Sequence, residues 1–299
     1  SEAKLVVFAA GPPADGSDRW DADRWVTRLA ADDLAFDTTF NGGEPFALDV
    51  SGLELSDGGR RGAVHADGTI VSSGYTNIPG KGNHIVLIRL LPSGAVDTSF
   101  GFSDDQDVDF TPGQTHYNPF RAGGGFAEAY GVTILSDGSY VTTGYGTSNM
   151  FVPSVSVDIV TTRVRPNGQA LLPSFGGKPG PVVTFAGAYA VQSEADTAAL
   201  YVTAEDRGRA VQALADDRTI HAGFYDGQAA LVVLTPNGKP DTEVLGTGRL
   251  IYRWTTNFFS VNTDAEASRV VATSAAVAKV VNTSYARTLI ATVDVVPAD

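Results

Sequence analysis

The sequence predicts an all-β fold of five repeated units, and three observations carry that prediction. The stretch Asp67-Gly-Thr-Ile-Val-Ser-Ser-Gly-Tyr75 returns as Asp137-Gly-Ser-Tyr-Val-Thr-Thr-Gly-Tyr145 and Asp216-Asp-Arg-Thr-Ile-His-Ala-Gly-Phe224, with degenerate copies from Ala3 to Gly11 and from Ala278 to Tyr285. A second stretch, His84-Ile-Val-Leu-Ile-Arg-Leu-Leu-Pro-Ser-Gly94, follows it and has kin from Trp25 to Leu29, Ile159 to Gly168 and Leu231 to Gly238. Finally, 33 glycines, with Asp, Ser and Thr, crowd the junctions between short apolar runs, as a chain of many turns and little helix requires.

Taken in order, each unit opens on an Asp-Gly turn that feeds a β-branched strand. The glycine closing that strand, Gly74, Gly144 or Gly223, marks a point where a side chain would obstruct close packing or where the strand must bend. The Arg-Leu strand comes next and ends in a Pro-containing turn. Behind it stands a Phe-centred corner, Val96-Asp-Thr-Ser-Phe100, matched by Phe36-Asp-Thr-Thr-Phe40 and in part by Leu172-Pro-Ser-Phe175; its aromatics are expected between neighbouring sheets. A third strand is expected at 45–50, 106–110, 181–185 and 248–254, and a fourth at 61–66, 129–136, 209–215 and 268–274. Four short strands in a unit of roughly 60 to 80 residues is the size of a propeller blade. The chain therefore reads as a single domain, 1–299: a five-bladed β-propeller-like ring of four-stranded antiparallel blades, with units near 1–58, 59–127, 128–206, 207–265 and 266–299.

The Arg-Leu strand, its Gly turn, the Asp-Thr-Ser-Phe corner and the Asp-Gly strand ending in Gly resemble the delta-sixty repeat family of bacterial extracellular proteins. The resemblance covers nearly the whole chain; it is strong in the second and third units and worn in the fourth and fifth, where Val233 stands at the Arg89 position and Asp217 at the Gly68 position. It implies a propeller-like array in an exported protein, secreted, periplasmic or on the cell surface, and brings no catalytic residues with it. The chain begins on the Gly-ended strand and stops on the counterpart of the Arg-Leu strand, about eighteen strands where a ring would hold about twenty. One seam blade is thus expected to be irregular or closed by the termini, which should lie close together.

Composition narrows the partners. A formal charge of -13 opposes a polyanion such as nucleic acid. No apolar run reaches the ~18 residues of a membrane span and no charged-then-apolar leader opens the chain, so a soluble protein with any export signal removed is expected. The absence of cysteine excludes disulfides and thiolate metal sites. A packed core is well supplied, with 43% hydrophobic residues.

The connections that vary most between units, at 111–128, 186–209 and 255–266, are where sites are expected. In the first, His116 and Tyr117 supply an imidazole and a phenol for acid–base work, and Arg121 a cation for a substrate carboxylate, the toolkit of a polysaccharide lyase; a plain insertion loop is the alternative. Trp20, Trp25, Tyr189 and Trp254 are candidate sugar-stacking aromatics, although residues of this kind also serve as core between blades. His221 is the better ligand among the remaining histidines; His65 is expected as a hydrogen-bonded residue on a packed strand and His84 as a surface residue at a strand start. Zinc would have to gather distant residues. Calcium has two candidate holders, the loop carrying Asp15, Asp18, Asp21 and Asp23, which is preferred, and the acidic run 104–109.

Three functions stay open at this stage. The first is a monomeric binding module that presents variable loops to a glycan or a protein. The second is an extracellular lyase or hydrolase built on His116, Tyr117 and Arg121, and the third a structural subunit of a surface assembly.

Overall fold

The computed structural model describes residues 3–17, 21–52, 55–103, 112–121, 124–147, 157–169, 175–177, 182–185, 206–225, 228–244, 246–252, 265–272, 277–284 and 287–294. They form five open sheets, almost wholly antiparallel. The first holds β1 (Lys4–Gly11), β2 (Asp23–Ala30) and β3 (Phe46–Leu48). The second holds β4 (Gly59–Val64), β5 (Ile70–Ile78), β6 (Gly82–Leu90), the two-residue β7 (Phe102–Ser103) and β8 (Gln114–Tyr117). The third runs β9 (Phe126–Ile134), β10 (Tyr140–Thr147), β11 (Asp158–Val164) and β12 (Val182–Phe185). The fourth runs β13 (Asp206–Ala213), β14 (Thr219–Tyr225), β15 (Gln228–Leu234) and β16 (Arg249–Tyr252), and the fifth β17 (Ala265–Ala272), β18 (Val277–Ser284) and β19 (Arg287–Asp294).

Each sheet packs on the next in chain order, chiefly through the leading strands β4, β9, β13 and β17. The terminal residues themselves, 1–2 and 295–299, expected to lie close together, fall outside the described residues. So does the strand expected at 106–110; in the second sheet its place beside β6 is taken by β8, a piece of the loop set aside for chemistry.

The repeated glycine has a specific cause. Every leading strand carries a one-residue bulge, between Gly59 and Arg61, Ala129 and Gly131, Gly208 and Ala210, and Ala267 and Arg269. A bulge bends its strand and brings backbone close to the partner. A β-carbon on Gly74, Gly144 or Gly223 would meet the carbonyl oxygen of Gly58, Glu128 or Arg207 at 1.8, 1.8 and 2.1 Å. This close approach belongs to the three middle sheets, since the fifth carries Asn282 at the matching ladder position. In the first unit the ladder puts Ala9 there, opposite Trp25, and not Gly11, the residue that ends the run in the sequence.

The Arg-Leu strand locks neighbouring sheets together. Arg28 Nη1 donates to the Pro92 carbonyl at 2.7 Å, Arg89 Nη1 to Pro166 at 2.6 Å and Arg163 Nη1 to Pro236 at 2.9 Å, each reaching the Pro-containing turn of the following unit. Within their own units Arg28 and Arg89 pair with Asp37 and Asp97 of the Phe corner, at 2.7 and 2.8 Å. The third unit has Leu172 in place of that acid, and Arg163 turns to Asp137 at 2.7 Å. The fourth has Val233 in place of the arginine, and Arg218 reaches Asp241 at 3.1 Å instead. The corner aromatics lie between sheets as expected: Phe40, Phe100 and Phe175 press on Gly94, Gly168 and Gly238 of the next unit's turn. Asp217 keeps the left-handed backbone of the glycines it replaces, φ 63° against 88° for Gly68, and its carboxylate accepts the Ser136 amide of the preceding sheet at 2.8 Å.

Candidate functional site

The residues proposed for acid–base chemistry do not converge. His116 and Tyr117 are neighbours on β8 and so face opposite sides of the sheet. Both are buried, His116 bonding Gln114 Oε1 at 2.6 Å and Tyr117 sharing a 2.5 Å hydrogen bond with Thr162. Burial, followed by the charges of Arg24 and His84, lowers His116 to about 4. Arg121 is exposed on the loop beyond. His221 lies in the interior of β14, 2.9 Å from the Thr219 hydroxyl, and burial lowers it to about 3. Trp25 is half-buried and donates to the Pro12 carbonyl at 2.9 Å, while Trp20, Tyr189 and Trp254 lie outside the described residues. His65 bonds the Tyr140 hydroxyl at 2.8 Å, as a hydrogen-bonded histidine at a strand end. His84 is fully buried and not a surface residue: β6 is covered on both sides, and the position holds Asp23 in the first unit, also buried.

The acidic loop is divided. Asp15 is exposed and accepts the Ser17 amide at 2.9 Å, Asp18 and the run 104–109 lie outside the described residues, and Asp21 is half-buried. Asp23 turns inward and, with Asp49 and Asp57, places one carboxylate oxygen within 4.8 Å of each of the other two. Beside them is Arg24, fully buried at the position that Ile85 and Ile159 fill in later units. Its guanidinium donates to the carbonyls of Ser72 and Val86 at 3.3 Å and of Gly58 at 3.5 Å. Asp57 accepts the Val50 and Ser51 amides at 2.6 and 2.8 Å and the Thr76 hydroxyl. Thr76, Val50 and Ser51 donate to Asp57 and the Arg24 charge lies beside it, so the group is a buried cluster of three acids and one arginine between the first two sheets.

Burial raises Asp57 to about 6, against the pull of Thr76, Ser51 and the Arg24 charge. A carboxyl raised in the folded state stabilises fully below its unfolded value near 4, and that contribution is lost as pH rises through 6. Wild-type stability relative to Asp57→Asn should therefore fall by about 2 kcal/mol between pH 4.5 and 7.5. Urea melts of both proteins across that interval measure it, and parallel curves would sink the assignment.

The open site lies elsewhere, between the strands that lead the sheets. A cavity of about 690 Å³ is lined by β1, β4, β9 and β13, with Phe8, Arg60, Ala63, Val132 and Val211 among its lining residues. Three bulge residues, Arg60, Tyr130 and Arg209, occupy one repeat position and stack: the two guanidinium carbons sit 4.5 and 4.4 Å from the Tyr130 ring centroid. Arg60 also covers Tyr75 at 5.1 Å, and Arg207 covers Tyr145 at 4.7 Å. Glu128 is buried here and accepts the Tyr145 hydroxyl at 3.0 Å and the Asn83 amide. Burial and then the Glu128 charge push the Tyr75 and Tyr145 phenols above their usual value. None of these arginines was singled out from sequence. The signal was present, because one position alternates Arg, Tyr and Arg where a strand would otherwise take small or β-branched residues.

Short antiparallel sheets stacked in chain order define a repeat protein of β-propeller type. A family model described as a domain of unknown function (DUF5122) beta-propeller matches residues 65–100, the span from the Asp67 turn to the Phe100 corner, and supports that class. No curated protein matches the chain. A solved structure from a study of two prolyl endopeptidases and the role of inter-domain dynamics in their catalysis is similar at 10% identity and a TM-score of 0.29, covering 98% of this chain and 47% of that one. This chain therefore spans less than half the length of that protein.

Proposed function

We propose that the chain is an exported binding module, a propeller-like array of the delta-sixty type, that takes a glycan or a protein segment into the channel between its leading strands. The observation that carries this reading is the cavity: about 690 Å³, a volume usual for ligand sites, lined by residues of four strands and by Arg60, whose guanidinium covers the Tyr130 ring. An enzyme would need a titratable group at the ligand. Among the described residues, no histidine or carboxylate lines this cavity, and His116 and His221 are enclosed in the sheets.

Val64 lines the cavity and is 47% exposed, so tryptophan at this position narrows the channel without entering the core. Against a panel of neutral and acidic oligosaccharides and peptides, a ligand bound by the wild type should bind Val64→Trp at least about tenfold more weakly. Binding indifferent to the substitution would overturn the channel reading. Cleavage of the ligand on incubation would favour the enzyme.

A further inference from the structure

The first sheet is one strand short beside the cavity. Strands β5, β10, β14 and β18 occupy one repeat position, and each pairs with a leading strand, β4, β9, β13 or β17. Their counterpart in the first unit is β1, and among the described residues it pairs with β2 alone. The Ala3 carbonyl accepts the Ala31 amide at 3.1 Å, so Leu5, Val7 and Ala9, at every second residue from there, turn their backbone groups to β2. Those of Val6 and Phe8 point the other way, to the open edge. Their counterparts Val71 and Ser73 face Ala63 and Arg61 of β4 on that side. Space lies along this edge, because the cavity is lined by Val6, Val7 and Phe8 together with residues of β4, β9 and β13. The edge is also unprotected: Lys4–Gly11 has no proline, no bulge and no charge beyond Lys4, and leaves Leu5 and Val7 44% and 42% exposed.

We infer that the ligand of the channel is an extended peptide segment of another protein, which adds antiparallel to β1 where the other sheets have a leading strand; the inference rests on the channel reading above. The repeat itself shows what fits there, since four sheets already hold a strand at this place. Main-chain bonds to Val6 and Phe8 supply affinity, and side chains that alternate between two faces supply specificity. Both faces of β1 are apolar, with Leu5 and Val7 on one and Val6 and Phe8 on the other, so the peptide is apolar on both. It also runs straight. A strand bulged as in the middle sheets brings a carbonyl against Gly74, Gly144 or Gly223, and at that position β1 carries the Ala9 methyl group.

The test is calorimetric titration of the whole chain with synthetic peptides copied from β9: the sequence of residues 128–136, and a straight form of it without Tyr130. Two further versions of the straight peptide carry N-methyl groups on alternate amides, in complementary sets. Wild type, Val6→Pro and Val64→Trp are compared, with thermal melts as a check on folding. Proline at position 6 removes an amide that the β2 ladder does not use, and an edge strand accepts it. The straight peptide should bind at least about tenfold more tightly than the bulged one, and one N-methylated version should weaken by as much while the other keeps its affinity. Val6→Pro should weaken it likewise. If both N-methylated versions bind like the parent and Val64→Trp weakens them, the channel reading stands and strand addition falls. No binding of the straight peptide overturns the inference, and the channel reading survives that result if an oligosaccharide binds in a manner that Val64→Trp weakens. Dimers in sedimentation that Val6→Pro dissolves, with no peptide bound, would overturn it in favour of a second copy of this chain. The comparison of N-methylated versions uses wild-type protein alone, so it decides the matter even if Val6→Pro fails to fold.

Discussion

An Arg24→Ile variant should lose about 3 to 5 kcal/mol of stability, and adding Asp57→Ala to the same chain should restore most of it. The size of Arg24 is not the issue, since Ile85 and Ile159 fill its position in later units at 1% exposure. The loss comes from Asp57, which without the guanidinium becomes a buried acid facing two others, Asp23 and Asp49. The second sheet shows the apolar solution: where the first junction has Asp23, Arg24 and Asp57, the next has His84, Ile85 and Ala127. Between the third and fourth sheets Asp206 sits in the Asp57 position and Asp158 in the Asp23 position, with Ile159 where Arg24 stands in the first unit. Urea denaturation of both single variants and the double variant at pH 7.5 measures the coupling. Simple additivity would show that the network is not a unit. The single-variant penalty should also shrink at pH 5, where Asp57 holds its proton.

Gly144→Ala should have a comparable or larger effect, above about 4 kcal/mol or outright failure to fold. The added carbon would lie 1.8 Å from the Glu128 oxygen, 2.8 Å from its carbonyl carbon and 2.9 Å from the Ala129 Cα. All three atoms are backbone at a bulge that also sets Tyr130 in the stack, so no side-chain rotation relieves the clash. Gly80→Ala is the control. Its φ of 74° costs alanine about 1–2 kcal/mol, and nothing lies within 4 Å of the new carbon. Thermal melts that place the two variants together would mean that conformation, not contact, explains the repeated glycine.

These two experiments also mark the limit of what could be read from the chain. Gly144 was legible because sterics at a repeated bulge leave a repeated residue, and Phe100 for the same reason. The bulge itself was not, because an extra residue in one strand shifts the alignment: strand starts at Arg61, Ala129, Arg209 and Ser268 mix positions from its two sides. Arg60, Tyr130 and Arg209 fell into that gap, and with them the stack. His116 and Tyr117 looked like a loop pair because β8 is short and follows an acidic run. One hydrogen-bond ladder with β6 put them back to back. Arg24 could have been found by alignment alone, as a guanidinium where the second and third units carry isoleucine. His84 could not, since its burial depends on the neighbouring sheet.

The exchange of ionic partners between units has a consequence for how such chains can be recombined. Arg163 leans on Asp137 because its corner lost an acid, and Asp241 leans on Arg218 because its strand lost an arginine. Units that look alike are therefore not spare parts for one another. Copying the third unit's Asp137-Gly-Ser139 turn into the fourth would install serine where Arg218 stands and strand Asp241 without a cation. In the fourth unit the loss of the arginine is matched by Arg218 of the same unit, so a graft there tolerates the whole unit, with both halves of the exchange, and rejects the single turn.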